Sequence, residues 1–303
     1  MKTHFGRFLV LALAVVLQSQ LADGQQGPDP EFNTTVAHPA YSKNYPRVIF
    51  DEAHNNFHTT TGRYKPFVDL ILSDGYNVVP GRKSFAKPSL STFKILVIAN
   101  ALGAEDMDEE GADRSAFTEE ECDVVRDWVK GGGALLLIAD HAPFGAAAES
   151  LGKRFGVEMS KGYTFDPENY FKGTSTLLFS RENKRLLDHP ITQGRKDSER
   201  INQVLTFTGQ SLRGPEGSSV LFLLSQTARD KPDRESQTSV SAAGSAQGIA
   251  FKFGKGRVVV LGEAAMLSAQ LAGAEKQPMG MNVPGSDNRQ LALNIMHWLS
   301  GLM

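Results

Sequence analysis

The chain has 303 residues, with 32 Lys and Arg against 34 Asp and Glu, a formal charge of −2 and no Lys/Arg stripe, which argues against nucleic acid or an anionic membrane surface as a partner. A small molecule, a glycan or a peptide is the expected ligand class. With 41% hydrophobic residues the chain can bury a sizeable core, and its single cysteine, Cys122, excludes an intrachain disulfide framework.

Lys2 and Arg7 precede an apolar run from Phe8 to Leu17, and small or polar residues from Ser19 to Gly24 follow. This is the three-part pattern of a secretory signal peptide over residues 1–24, with cleavage expected after Ala22 or Gly24. An uncleaved anchor is the alternative. The apolar run is short for a bilayer span of about 20 residues, so no stable membrane span is expected after cleavage, and the predicted location is secreted or periplasmic. Residues 25–45, rich in Gln, Pro, Asn and Thr, are expected to form a flexible leader before a single α/β domain over 46–303.

Within that domain, Val48 to Phe50 is a short apolar run that stops at the polar stretch Asp51 to His58, the mark of a buried strand emptying into a loop. Tyr64, Phe67, Val68, Ile71 and Leu72 recur at helical spacing, Gly75 stops that helix, and Tyr76 to Val79 is the next strand. The strand Lys94 to Ala99 ends at Asn100 and precedes an acidic loop, Glu105 to Asp113. Thr118 and Glu121 predict a capping box for a helix whose inner face carries Cys122, Val125, Trp128 and Val129. Gly131 to Gly133 end it before the strand Ala134 to Ala139, which empties into Asp140-His141, and a helix follows to about Phe155.

Residues 156–217 read as an irregular insertion, with a short helical piece at 182–187, a turn at His189 to Gly194 and a strand at Val204 to Phe207. Val220 to Leu224 is a strand, and 228–248 is polar and Ser-rich enough to be a mobile loop. Ile249 to Phe253 and Arg257 to Leu261 flank a hairpin signal at Gly254-Lys-Gly256. The last helix runs from Asn288 to Leu299 with Asp287 as its expected N-cap. Alternation of this kind predicts a doubly wound, largely parallel sheet with helices on both faces, flavodoxin-like or amidotransferase-like, interrupted by the insertion.

Such sheets bind ligands beyond the carboxyl ends of their strands. Three strands here end in ionisable loops. Asp51, Glu52, His54, Asn55 and Asn100 are candidate ligand-binding residues, and His54 with His58 are candidate ligands for a divalent metal ion, although their spacing matches no established metal motif. The plain alternative is that Asp51 caps the next element and the histidines lie on a wet loop. Asp140 and His141 are candidate catalytic residues, His141 as base or ligand; Asp140 can equally cap the following helix. Glu263 joins them as a candidate carboxylate base, against a role as cap for the turn after it. His297, late in the last helix, reads as structural.

Several of these segments together resemble the class I glutamine amidotransferase-like superfamily, among its secreted bacterial domains. They are Phe50-Asp-Glu-Ala-His54, Trp128-Val-Lys-Gly-Gly-Gly133 before Leu135-Leu-Leu-Ile-Ala-Asp140, Asp188-His-Pro-Ile191, Gly254-Lys-Gly-Arg-Val-Val-Val-Leu-Gly262 and Asp287-Asn288. The resemblance spans residues 47–299 and implies the fold more than an activity. It includes trehalose-utilisation-like proteins, which suggests carbohydrate by analogy. It also implies a nucleophilic Cys on the turn after the strand ending at Ala139, where this chain has Asp140-His141-Ala142, so glutamine hydrolysis by a thiolate is not expected.

Three readings follow. The first is a secreted ligand-binding domain, for carbohydrate or peptide, without thiol catalysis. The second is a metal-assisted hydrolase using His, Asp and Glu at the strand ends. The third is a structural module of an envelope assembly, which requires an exposed apolar patch.

Overall fold

The computed structural model describes residues 26–303. The signal-peptide reading of 1–24 falls outside the described residues. No helix among the described residues is long and apolar enough to cross a membrane.

Nine strands form the central sheet: β1 (Arg47–Asp51), β2 (Asn77–Gly81), β3 (Ile95–Ala99), β4 (Ala134–Ile138), β5 (Glu158–Met159), β6 (Leu212–Arg213), β7 (Ser219–Leu223), β8 (Ala246–Phe253) and β9 (Gly256–Leu261). Their order is β2-β1-β3-β4-β9-β8-β6-β5, with β7 also paired to β8. The first five in this order are mutually parallel, and the hairpin β8–β9 turns the rest antiparallel. This is the expected doubly wound α/β class, with a 2-1-3-4 start that reverses direction between β1 and β3.

Strand alternation sorts the core into two layers. Val48, Phe50, Val97, Leu136 and Val259 face helices α1 (Lys65–Ser73) and α6 (Asn288–Ser300). Ile49, Leu96, Ile98, Leu135, Leu137, Val258 and Val260 face the other layer, which includes α3 (Glu119–Lys130) and α4 (Phe144–Arg154), with the four-residue α2 (Lys87–Leu90) beside them. Because both faces are covered, the parallel strands read as continuous apolar runs. The capping box of α3 is present, with Thr118 and Glu121 bonding each other's backbone N–H.

Four expectations are corrected. Residues 26–45 are not a loose leader: Gly27–Pro28 pairs with Ala269–Ala272, Phe32, Val36 and Tyr41 pack on the α1/α6 core, and Asp74 accepts the Ala40 amide at 2.8 Å. Gly75 makes this docking feasible, since at φ +91° its missing side chain leaves room for the Tyr41 carbonyl. No helix forms at 182–187, because the Asn183 side chain closes a turn on Ser180 and Leu178, and Leu186 bridges Phe222 instead. The expected turn after His189 is a short helix, α5 (Pro190–Gln193), capped by His189, whose Nδ1 accepts the Ile191 amide.

The polar stretch 228–248 is the fourth. Arg229–Lys231 pairs with both Val240–Ser241 and Tyr163–Phe165, and Asp230 is anchored by the hydroxyls of Thr164 (2.5 Å) and Ser211 (2.6 Å). The insertion likewise contributes β5 and β6 to the sheet edge and a hairpin, Leu177–Ser180 with Gln203–Thr206. Asp287 does occupy the N-cap position of α6, yet its carboxylate accepts the amides of Asn202 and Gln203, tying that hairpin to the helix instead of capping it.

Candidate functional site

The loops leaving β1, β3, β4 and β9 converge beyond the carboxyl ends of the parallel strands around a cleft of about 690 Å³. The β1 loop supplies Phe57, His58 and Arg63; the β3 loop supplies Asn100 and Met107; the β4 loop supplies Asp140, His141 and Phe144. Ala265, Gln270 and Gly273 follow β9, Tyr163 comes from the insertion, Arg234 from the polar stretch and Gln26 from the docked leader. Chain reversal at β1/β3 leaves this crevice open because no connection crosses it.

Asn100 and Asp140 are joined through the backbone. Asn100 sits at φ +53°, accepts the Asp140 amide on its side-chain oxygen at 3.0 Å, and receives the Phe57 amide on its carbonyl at 2.9 Å. The Asp140 carboxylate accepts the amides of His141 (2.7 Å) and Ala264 (3.2 Å). His141 places Nδ1 2.7 Å from the Ala142 carbonyl, an oxygen that can only accept. Nδ1 therefore carries a proton and donates it to that oxygen, while Nε2 has no hydrogen-bond partner among the described residues and lies 4.0 Å from Asp140 Oδ1. The ring stacks on Tyr163 at 4.5 Å, with Arg234 over the same tyrosine at 5.1 Å.

His58 is a different kind of histidine. It is 3% exposed, stacks on Tyr64 at 4.6 Å, and its Nδ1 is buried without a hydrogen-bond partner. Burial, aided by the charge of Arg63, pushes its pKa down to about 3, so the ring is neutral. Gln270 matches it across the cleft lining. Its Nε2 donates to Ser268 Oγ, whose own proton goes to the Ala265 carbonyl, which leaves Gln270 Oε1 buried and unpartnered. Neither Arg63 nor Tyr163 stands out in the sequence as a cleft residue; for Gln270 the available signal is a lone amide inside the small apolar run Ala269 to Ala272.

The structure places Asp51, Glu52, His54 and Asn55 away from the cleft. His54 places Nδ1 2.9 Å from the Asp51 carboxylate and Nε2 3.0 Å from Glu121, so both nitrogens are donors and the ring is an imidazolium. Burial opposes that charge, but the two carboxylates outweigh it and raise the His54 pKa. Burial would likewise raise Glu121, and the hydrogen bonds from Thr118, His54 and Phe85 instead hold it down to about 2. Phe85 and Phe117 close over the imidazolium at 4.6 and 4.7 Å. Glu52 closes its own loop on Thr60 and Arg82, and Asn55 is an exposed turn residue at φ +48°. Of the candidates around this strand, only His58 and Asn100 line the cleft.

Glu263 is also placed away from the lining. Its two carboxylate oxygens accept the amides of Ala265 (2.8 Å) and Met266 (2.7 Å), which makes it the cap of the turn Ala265–Leu267. Burial first, and the charge of Asp140 second, push its pKa well up against those bonds.

A metal-ligand role for His54 and His58 does not fit. The former has both nitrogens on carboxylates, the latter faces an aromatic stack, and among the described residues no group of three or more His, Cys, Asp and Glu is arranged to hold an ion.

No protein-family model matches the chain, and no curated protein matches it. Among solved structures it is similar to the N-terminal domain of mmIFT52, at 13% identity and a TM-score of 0.57, covering 84% of this chain and 97% of that one. That likeness shows the fold alone. A ThuA-like protein from Bacteroides uniformis (12% identity, 89% and 94% covered) and a GMP synthase component from Thermoplasma acidophilum (10%, 86% and 96%) align more loosely, each at a TM-score of 0.44.

Proposed function

We propose that this chain is an exported domain that binds a small, hydroxyl-rich ligand, a glycan or a peptide, in the switch-point cleft and without thiol catalysis. One observation carries the reading: His58 Nδ1 and Gln270 Oε1 are both buried without partners among the described residues, on residues lining the same cleft. A buried polar atom left unpaired costs about 1–3 kcal/mol, and a rotation of either side chain that turns it toward a ligand hydroxyl or amide in the cleft would recover it. The only cysteine, Cys122, is fully buried in the α3/α4 layer and does not line the cleft.

Gln270→Leu tests this directly. The substitution removes the unpaired amide oxygen together with the bond from Nε2 to Ser268, two opposed effects that leave stability about level, while binding of the best ligand from an oligosaccharide and peptide panel should fall about tenfold, the equivalent of one lost hydrogen bond in a dry site. Calorimetric titration paired with urea unfolding reads both quantities. A loss of stability with unchanged affinity would refute the assignment.

Hydrolysis is the second reading, favoured by the free Nε2 of His141 beside Asp140. It would use His141 as a base toward water, with no step through a metal, and His141→Ala would then stop turnover of the bound ligand without weakening its binding. The envelope-module reading needs an apolar face. Among the described residues the exposed large apolar side chains are Tyr45, Leu72, Val240 and Leu302, on four separate segments, which does not favour it.

A further inference from the structure

Arg63 is the half-buried cation of the cleft lining. Its guanidinium donates to Gln26 Oε1 at 3.2 Å and lies 4.5 Å over the Phe57 ring, and among the described residues it has no carboxylate partner. A guanidinium carries five N–H donors in a planar fork, so most of them are left over. The group is half-buried, and burial alone lowers its pKa, the signature of a cation held without a counter-charge.

Its surroundings are otherwise neutral or positive. His58 beside it is uncharged, Arg234 adds a second cation on the cleft lining, and the single anion, Asp140, already accepts two backbone amides. Two guanidinium groups, Arg63 and Arg234, against the one carboxylate of Asp140 give the lining a net positive charge inside a chain that is negative overall.

We infer that the ligand of this cleft is anionic: a small polyol bearing a carboxylate or phosphate that seats on Arg63, with its hydroxyls directed to Gln270 Oε1 and His58. The inference rests on the reading of the cleft as a binding site and adds the charge of what it binds. Two cations without a carboxylate partner among the described residues favour an anion that a neutral sugar does not supply, and the fork geometry of Arg63 suits two oxygens of one carboxylate or phosphate.

The experiment titrates the wild-type chain with glucose, glucuronate and glucose 6-phosphate by calorimetry, at low and at high salt, and repeats it with Arg63→Gln and Arg63→Lys. An acidic probe should bind at least about tenfold more tightly than glucose, the worth of a charge-assisted hydrogen bond, and the advantage should shrink with salt. Arg63→Gln should erase the advantage and Arg63→Lys keep part of it. The carboxylate and phosphate arms distinguish the source of the anion. The salt series on the wild type stands even if the Arg63 variants fail to fold.

Glucose binding as tightly as both acids, independently of salt, would overturn the anionic inference and leave the cleft as a binding site. Binding of only neutral oligosaccharides or peptides from the wider panel would do the same. Failure of every probe and every panel member to bind would overturn both readings.

Discussion

His54 shows how a residue that reads as a ligand becomes a fastener. Its two nitrogens join the loop after β1, through Asp51, to the first turn of α3, through Glu121, under a lid of Phe85 and Phe117. Removing one member of a buried charged set leaves the others uncompensated, and His54→Gln should cost roughly 3–5 kcal/mol in urea unfolding. The pH dependence has a definite sign. A histidine whose folded pKa lies above its unfolded value stabilises fully below about 6.5, and that contribution is lost as pH rises through the raised folded pKa. Glu121 works in the opposite window: its contribution is present above about 4.5 and lost as pH falls toward about 2. His58 resists protonation in the folded state and opposes stability as pH falls below about 6.5, but it is present in wild type and variant alike and cancels in their difference. The stability difference between wild type and His54→Gln should therefore be larger at pH 6 than at pH 9; a flat difference would mean the ring is neutral and merely packed. The ionisable cluster itself was legible in the sequence. Its role was not, because Glu121 lies 67 positions away and already had a complete local explanation as the partner of Thr118.

At the scale of elements, periodicity located the parallel half of the sheet almost to the residue, since β3 and β4 are apolar throughout and β1 and β9 carry the apolar runs Val48–Phe50 and Val258–Leu261, all bounded by Gly or by ionisable residues. It failed where composition was used in place of pattern. Residues 26–45 and 228–248 are polar, yet both are held by backbone pairing and by buried carboxylates, Asp74 for the first and Asp230 for the second. A polar segment stays ordered when its few apolar side chains find a groove and its amides find acceptors, and neither condition can be seen locally. The leader supplies Phe32, Val36 and Tyr41 to the α1/α6 layer and carbonyls to Arg289. A chain beginning at residue 46 should accordingly lose about 2–4 kcal/mol, the worth of three partly buried large side chains. Urea unfolding of the shortened chain measures it, and an unchanged midpoint would restore the loose-leader reading. The same deletion removes Gln26 from the cleft lining, so Arg63 would lose the acceptor it has among the described residues.

Across the whole molecule, the sheet concentrates chemistry at one end and burial everywhere else. Four strands deliver polar loops to the same edge, and the order of those strands, which periodicity does not encode, decides which loops meet. That is why Asp140, His141 and Asn100 could be placed at the cleft from their position after strands, while Arg63, Gln270 and Tyr163 required the three-dimensional path of a loop, a hairpin and an insertion. The arrangement has a consequence for the one thiol. Cys122 lies on the inner face of α3 in the layer shared with α4 and the sheet, its Sγ 3.6 Å from Ser150 Oγ, and burial pushes its pKa up. The reactive thiolate is thus disfavoured in the folded state, and no loop motion at the cleft uncovers it; α3 must leave the sheet. Alkylation by iodoacetamide should then proceed only through large-scale opening, at least about a thousandfold more slowly than in the unfolded chain for a domain of ordinary stability. Mass spectrometry of native samples quenched over time gives the rate. It should rise with urea below the unfolding midpoint and fall when a cleft ligand is added, because a ligand that binds only the folded state lowers the open population. Labelling at a rate near that of the unfolded chain would place the thiol within reach of solvent and undo both the burial and the exclusion of thiol chemistry argued from it.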